Sequence, residues 1–513
     1  MRKRQVWRKF ALLISMLVLT ALFVGLNKAE QVPFMSQETE QVPLMSKEEF
    51  EHIGEQISSD LSQILYQKGK PAAVDAASNT IYISHAITED TVFADLQSML
   101  AIRSDSYQLY FAPDDAFGSI SKAVRDGHLF TLIALNRSQK CYVKYSVVFT
   151  ILPVFRLESQ AMNISALGES SYSGSMCLWT SFDEENGQYS VKDSQAVWHK
   201  RGHTTVTQPK TSWKLSVKNS LGKNQYLSLL GLGSDDDWIL NAMTQDDLKL
   251  REKVSMMLWN TMHSDKAILP RMSDGEYVEL IQDGQYRGLY LLQRRVDIKY
   301  LGLDNKTDIL IKGRNTYSAE TPEEAFEIIS APIAEDSVFA LMTPFFEENE
   351  FSFLNLKNWI DMELFLRAGS MLDNISHKNT FYILRPHQDG YQLSLLPWDT
   401  DMSFGLYWEE GFRYLPDTAF SDGVFRTEFK KLLSAYPNLL SMLHDRWIAL
   451  RDGVFSYENM QAVIDHCHEQ ILRSGALARD QAMWGVKYNG KDTYEGLLNH
   501  VDKRLVYIDA SLT

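Results

Sequence analysis

Cysteine is scarce in this 513-residue chain: Cys141, Cys177 and Cys467 stand far apart. No CxxC pair occurs, which argues against a zinc site. An odd and sparse count argues against a disulfide scaffold. Positive charge is also short, with 51 Lys and Arg against 66 Asp and Glu, a formal net charge of −15. That balance speaks against nucleic acid as a partner, because such binding depends on basic surfaces. It favours divalent cations near the protein. A hydrophobic content of 45% with 23% charged residues is that of a globular protein. The chain is too long for one ordinary core, so two or three domains are expected.

The N-terminus has a distinct organisation. Arg2, Lys3, Arg4, Arg8 and Lys9 precede an uncharged run from Phe10 to Leu26, broken only by Ser15, Thr20 and Gly25. Its length is at the short end for a membrane helix and beyond a usual signal-peptide core. Asn27-Lys28-Ala29-Glu30 offers no clear small-x-small cleavage site. The expectation is a single-pass signal anchor over residues 1–28, its basic flank cytoplasmic and the rest of the chain outside the cytoplasm. A cleaved signal peptide is the alternative. Residues 29–70 read as a linker and amphipathic helix. Gln31-Val-Pro-Phe-Met-Ser36 recurs as Gln41-Val-Pro-Leu-Met-Ser46, and Phe50, Ile53, Ile57, Leu61 and Leu65 follow at helical spacing. Residues 71–156 read as a small β-rich accessory domain, with Tyr142 to Phe155 its strongest strand. The larger domain is expected over residues 157–513.

The stretch from Leu366 to Gly405 carries the chemistry. Thr380 to Leu384 and Tyr391 to Leu396 are strand-like and flank Asp389-Gly390, a hairpin signal. A hairpin there brings Asp373 and Asn379, before it, near Asp399 and Asp401, after it. Phosphoryl transfer needs a carboxylate to orient an acceptor hydroxyl and a few hard oxygens for Mg²⁺. Asp373 suits the first task, and Asp399, Asp401 and the Asn379 amide oxygen the second. On spacing alone the same residues also serve as turn and cap formers, bonding nearby backbone.

Residues Leu366 to Gly405 resemble the catalytic half of the spore coat protein H (CotH) kinase family, through LDNISHKNTFYIL and LSLLPWDTDMSFG. The resemblance extends over roughly Leu157 to Leu472. It includes Arg201, Gly202, Pro209, Lys210, Trp213 and Lys214 in a hydroxyl-rich turn and strand, Asp237-Trp238 with Leu240 and Asn241, Leu250-Arg251, and Gly288-Leu-Tyr-Leu-Leu292. It implies an α+β fold with an atypical bilobal protein-kinase-like domain, here preceded by the β-rich domain and the transmembrane helix. It implies ATP with Mg²⁺ or Mn²⁺ as cofactors, Asp373 in the catalytic role, and Asp399, Asp401 and Asn379 at the metal. Arg201 and either Lys214 or Lys210 would contact phosphate. Glu252 would pair with that lysine, or would stand as an ordinary exposed helix charge. The implied partner is a secreted, surface or spore-coat protein phosphorylated on Ser or Thr. One departure stands out: the family usually has a Glu two residues past Leu-Leu, and this chain has Arg294. Together with an extracytoplasmic location, where ATP is scarce, it favours the rival reading of a catalytically silent surface or coat assembly protein.

Overall fold

The computed structural model describes residues 41–113, 118–164, 170–181, 189–202, 207–262, 270–314, 321–343, 351–374, 378–388, 390–406 and 432–512. No helix among them is long and apolar enough to cross a membrane. The run from Phe10 to Leu26 and the aromatic segment from Trp408 to Phe420 lie outside the described residues.

The helix expected over residues 47–67 is confined to Lys47–Glu51, which a Ser46/Glu49 capping box opens. Gly54 ends it. Its φ is +105°, and a Cβ there would meet the Lys140 carbonyl oxygen at 2.0 Å. The chain then runs as strands Glu55–Gln56 and Leu65–Gln67. Leu61 and Leu65 enter a sheet core with Ile81, Ile83, Phe130 and Val147. Residues from Val42 onward therefore belong to the folded β-rich region, with Met45 N–H bonded to the Phe111 carbonyl at 2.8 Å. The main sheet of that region has six strands, with Cys141–Thr150 between Thr80–Ser84 and Phe130–Asn136.

The long strand expected from Tyr142 to Phe155 is two strands. Cys141–Thr150 is a central strand of the first sheet, and Val154–Ile164 (β1) opens a second body. Pro153, which has no N–H to give a ladder, lies between them. The second body is a closed seven-stranded barrel. It continues with Ser170–Thr180 (β2), Ser190–Arg201 (β3), Ser212–Lys218 (β4), Asp237–Asn241 (β5), Gly275–Gln282 (β6) and Gln285–Arg294 (β7), in the order β1-β2-β3-β4-β5-β7-β6. Closure is parallel, Val154 opposite Glu279. Trp198, Trp213, Leu215, Trp238 and Tyr290 fill the interior. Along β4, Trp213, Leu215 and Val217 are buried while Lys214 and Ser216 are only half-buried. Period-2 alternation thus turns Lys214 out of the barrel. The β6–β7 turn is Asp283-Gly284, with φ of 51° and 65°, as the two-residue hairpin requires.

Helix α1 (Arg251–Met262) follows β5. It starts at Arg251 because the buried Asp246 carboxylate accepts the N–H groups of Leu248, Leu250 and Arg251. Beyond the barrel, Ile309–Gly313 (β8), Phe326–Ser330 (β9), Thr380–His387 (β10) and Gly390–Pro397 (β11) form a sheet in the order β9-β8-β10-β11. Helix α2 (Leu356–Gly369) packs on β11 and leads to Asp373. Helices α3 (Leu439–Arg451), α4 (Tyr457–Arg473), α5 (Ala476–Trp484) and α6 (Tyr494–Leu512) complete the core, with Trp259, Phe365, Trp447, Ile464 and Leu505 buried together.

Within this core the His500 ring of α6 is buried, its Nε2 3.3 Å from Ser370 Oγ. Burial, then Arg504 and Arg251, push its pKa down to about 3. A base depressed in this way binds fewer protons folded than unfolded, so stability is lost as pH falls from about 6.5 toward 3. His500→Gln is expected to reduce that acid slope by about one proton, about 1.4 kcal/mol per pH unit, in urea unfolding between pH 7 and pH 4. An unchanged slope would contradict the assignment.

Candidate functional site

The β10–β11 hairpin brings the acidic segments together as its sequence suggests. Thr380 pairs with Pro397 and His387 with Gly390, so Gly390 belongs to β11, where the Asp389-Gly390 signal had it in the turn. Gln388 there has φ of 48°, and Asp389 lies outside the described residues. At the open end, Trp398 N–H donates to the Asn379 carbonyl at 2.9 Å. Asn374 Nδ2 donates to the carbonyls of Asn379 and Trp398 at 3.0 and 2.8 Å. The segment holding Asp373 is thereby fastened to the one holding Asp399.

Asp373 sits in the short 3₁₀ turn Leu372–Asn374. Its oxygens accept Lys378 Nζ at 2.8 and 2.9 Å and Asn379 Nδ2 at 2.8 Å. Burial raises its pKa against the pull of Lys378. Asp399 is exposed and adopts a left-handed backbone at φ 56°. Burial holds the Asp401 carboxyl well above the usual carboxylate range, with Asp399, Glu252 and Asp373 adding to it. Negative charge bearing on the Asp401 carboxyl from these neighbours favours a cation beside it. Among the described residues no group of three or more His, Cys, Asp or Glu is arranged as a metal-ligand cluster. Mg²⁺ needs fewer from the protein, since waters and substrate phosphates complete its shell. Asp399, Asp401 and the Asn379 amide oxygen are hard oxygens of the kind it takes.

Glu252 takes neither of the places its sequence allowed. It is 2% exposed, and its Oε2 accepts the Thr400 N–H at 2.7 Å and the Thr400 hydroxyl at 3.0 Å. Burial, then Asp399, push its pKa up to about 7. Lys210, one of the two lysines assigned to phosphate, is 3% exposed and committed elsewhere. Its Nζ donates to Asp480 on α5 at 2.6 Å and to the Leu289 carbonyl at 2.5 Å. It is a fastener between barrel and helix. Lys214 is the lysine that reaches the cleft.

That cleft, about 470 Å³ with its open mouth, lies between the barrel and the four-stranded sheet. Arg201, Lys214, Arg295 and Lys312 line it with one carboxylate, Glu327, beside Phe381 and Trp398. Burial lowers the pKa of Arg201, Lys214 and Lys312, and repulsion from Arg295 adds to it in each case. Four cations crowded together in a chain of net charge −15 form a place for a polyanion. Asp399 bears on both Arg201 and Lys312, and it follows directly on Trp398 of the cleft lining, so the acidic loop adjoins this basic cleft.

The CotH kinase protein family matches residues 199–508. The chain belongs to the CotH kinase family. No curated protein matches it. The matched span runs from the end of β3 to α6, and includes the cleft, α1 and the acidic hairpin. The first two barrel strands and the N-terminal sheet precede it.

Two cleft cations of this CotH-family protein were not legible as site residues. Lys312 is a lone charge in the apolar strand Ile309–Gly313, and that isolation was its only local signal. Arg295 is one of a basic pair whose first member carries the family departure. Arg294 turns away from the cleft, bonding Asp235 at 2.9 and 3.0 Å and stacking on Tyr300. The acidic triplet Asp235 to Asp237 is balanced by Arg294, Arg295 and Lys299.

Tripolyphosphate titrated by calorimetry separates a cleft lysine, Lys312, from the buried Lys210. Lys312→Met is expected to weaken binding about tenfold, the loss of one desolvated charge contact. Lys210→Met is expected to leave affinity unchanged while costing roughly 3–5 kcal/mol of stability, because Asp480 is left buried without its closest cation. Binding lost on Lys210→Met in a folded protein would contradict the assignment.

Proposed function

We propose that this chain transfers the γ-phosphoryl group of ATP to Ser or Thr hydroxyls of a secreted, surface or spore-coat protein. The observation that carries this reading is that Asp399, whose charge bears on Arg201 and Lys312 of a cleft lined by four cations, also bears on Asp373 and Asp401. In this reading the barrel with α1 and the helical body with the β10–β11 hairpin act as the two lobes of a kinase-like domain.

Arg201, Lys214, Arg295 and Lys312 hold the polyphosphate, and the Trp398 ring, 5.6 Å from the Arg201 guanidinium, closes the floor. Asp399, Asp401 and the Asn379 amide oxygen hold Mg²⁺ or Mn²⁺, which supplies positive charge to the phosphate oxygens. Asp373 orients the acceptor hydroxyl and takes its proton as the acceptor oxygen bonds to phosphorus and the bond to the ADP oxygen breaks. Lys378, on the same carboxylate, keeps Asp373 aimed and is placed to neutralise it between turnovers. Residues 1–28 anchor the chain in the membrane with its bulk outside the cytoplasm. The full chain is therefore expected in the membrane fraction, and a soluble form shortened near residue 30 would overturn the anchor.

Intact-mass analysis of the chain incubated with ATP and Mn²⁺, alone and with casein as acceptor, tests the transfer. Phosphate incorporation is expected in the wild type, reduced at least about 100-fold in Asp373→Asn. Asp373→Asn should retain nucleotide binding. A folded wild type that binds ATP but transfers no phosphate would support the silent scaffold instead.

A further inference from the structure

Helix α1 grips the acidic loop at two separate points. Glu252 Oε2 takes both polar hydrogens of Thr400, and Arg251 Nε donates to the Ser403 carbonyl at 2.9 Å. Ser255, one turn on, brings its Oγ to 3.5 Å from Ser403 Oγ. Thr400 and Ser403 are wholly buried, whereas Asp399 is exposed and Asp401 half-buried. Asp399 also holds φ at 56°. That left-handed state costs a non-glycine residue about 1 kcal/mol or more, and persists where its surroundings over-determine it. The two bonds that Thr400, the next residue, donates to the Glu252 oxygen supply such a constraint.

The kinase analogy gives a helix glutamate to the phosphate-binding lysine. Here Lys214 has Asp237 as its carboxylate neighbour, at 4.0 Å, and Lys210 has Asp480. Glu252 is spent on Thr400. We propose that Glu252 is a positioning residue: by holding Thr400 inward it presents Asp399 and Asp401, on either side, as the pair that takes the divalent cation. This rests on the cation reading given above. It predicts an effect on the cation site through loop geometry, not through ligation by Glu252 itself.

Mn²⁺ affinity of the full chain, measured by electron paramagnetic resonance with Mn²⁺ alone, tests this. Glu252→Gln keeps an oxygen able to accept both Thr400 bonds, and is expected to stay within about threefold of wild type. Glu252→Leu removes both bonds, and is expected to weaken Mn²⁺ about tenfold or more, the range seen when an outer partner of a metal ligand is lost. Thr400→Val removes the hydroxyl bond alone with little change of shape, and is expected to fall between the two. It keeps the test open should Glu252→Leu fail to fold. Equal losses in Glu252→Gln and Glu252→Leu would overturn the proposal in favour of direct ligation. Unchanged affinity in Thr400→Val and Glu252→Leu would overturn it in favour of a purely structural role. A folded wild type that binds no Mn²⁺ would overturn the cation reading itself, and the proposal with it.

Discussion

A single buried guanidinium joins three distant parts of this chain. Arg251 is fully buried, and bonds Asp246 before α1, Asp492 after α5 and the Ser403 carbonyl in the acidic loop. Desolvating a charge costs several kcal/mol, and only well-placed partners offset it. Here two carboxylates and a carbonyl do so. The geometry of the acidic loop is thus tied to the position of α1, and that of α1 to the C-terminal segment. Asp247 extends the tie, accepting the N–H groups of Lys487 and Tyr488 at 2.8 Å. A residue after the last recognisable motif therefore bears on the loop that holds Asp399 and Asp401.

The cations of the barrel wall keep a carboxylate of their own. Asp237 stands with Lys214, Arg295 and Lys299 on the barrel side. Glu252 stands with the acidic loop. Buried pairs such as Lys210–Asp480 and Arg479–Glu279 fasten α5 to the barrel. The N-terminal sheet joins this arrangement through Tyr82, stacked on Tyr286 with ring centroids 4.4 Å apart. Tyr286 in turn donates to Glu279 at 2.7 Å, so the accessory sheet rests on the same ion pair that holds α5.

Much of the candidate site was legible because its signals are local. The β10–β11 hairpin follows from two β-rich runs around a short turn, and it brings Asp373 and Asn379 toward Asp399. What stayed hidden depends on partners far away in sequence. Nothing near Lys210 or Lys214 says which one reaches the cleft; Asp480, on a late helix, decides it by taking Lys210. Barrel closure joins β1 to β6 in parallel, and a parallel pair has no turn to announce it. The misread helix at residues 47–67 shows the converse. Leu61 and Leu65 fit a helical period and also fit a sheet core, and Gly54 against the Lys140 carbonyl settles the matter.

The central claim is that the acidic loop and the basic cleft form one site for a divalent cation and a polyphosphate. Phosphorus-31 electron–nuclear double resonance on Mn²⁺ bound to the full chain with ATP tests it most directly. The expected result is a phosphorus coupling on the bound Mn²⁺ that disappears in Asp399→Asn. Bound Mn²⁺ without any phosphorus coupling, or a coupling that survives Asp399→Asn unchanged, would contradict the account.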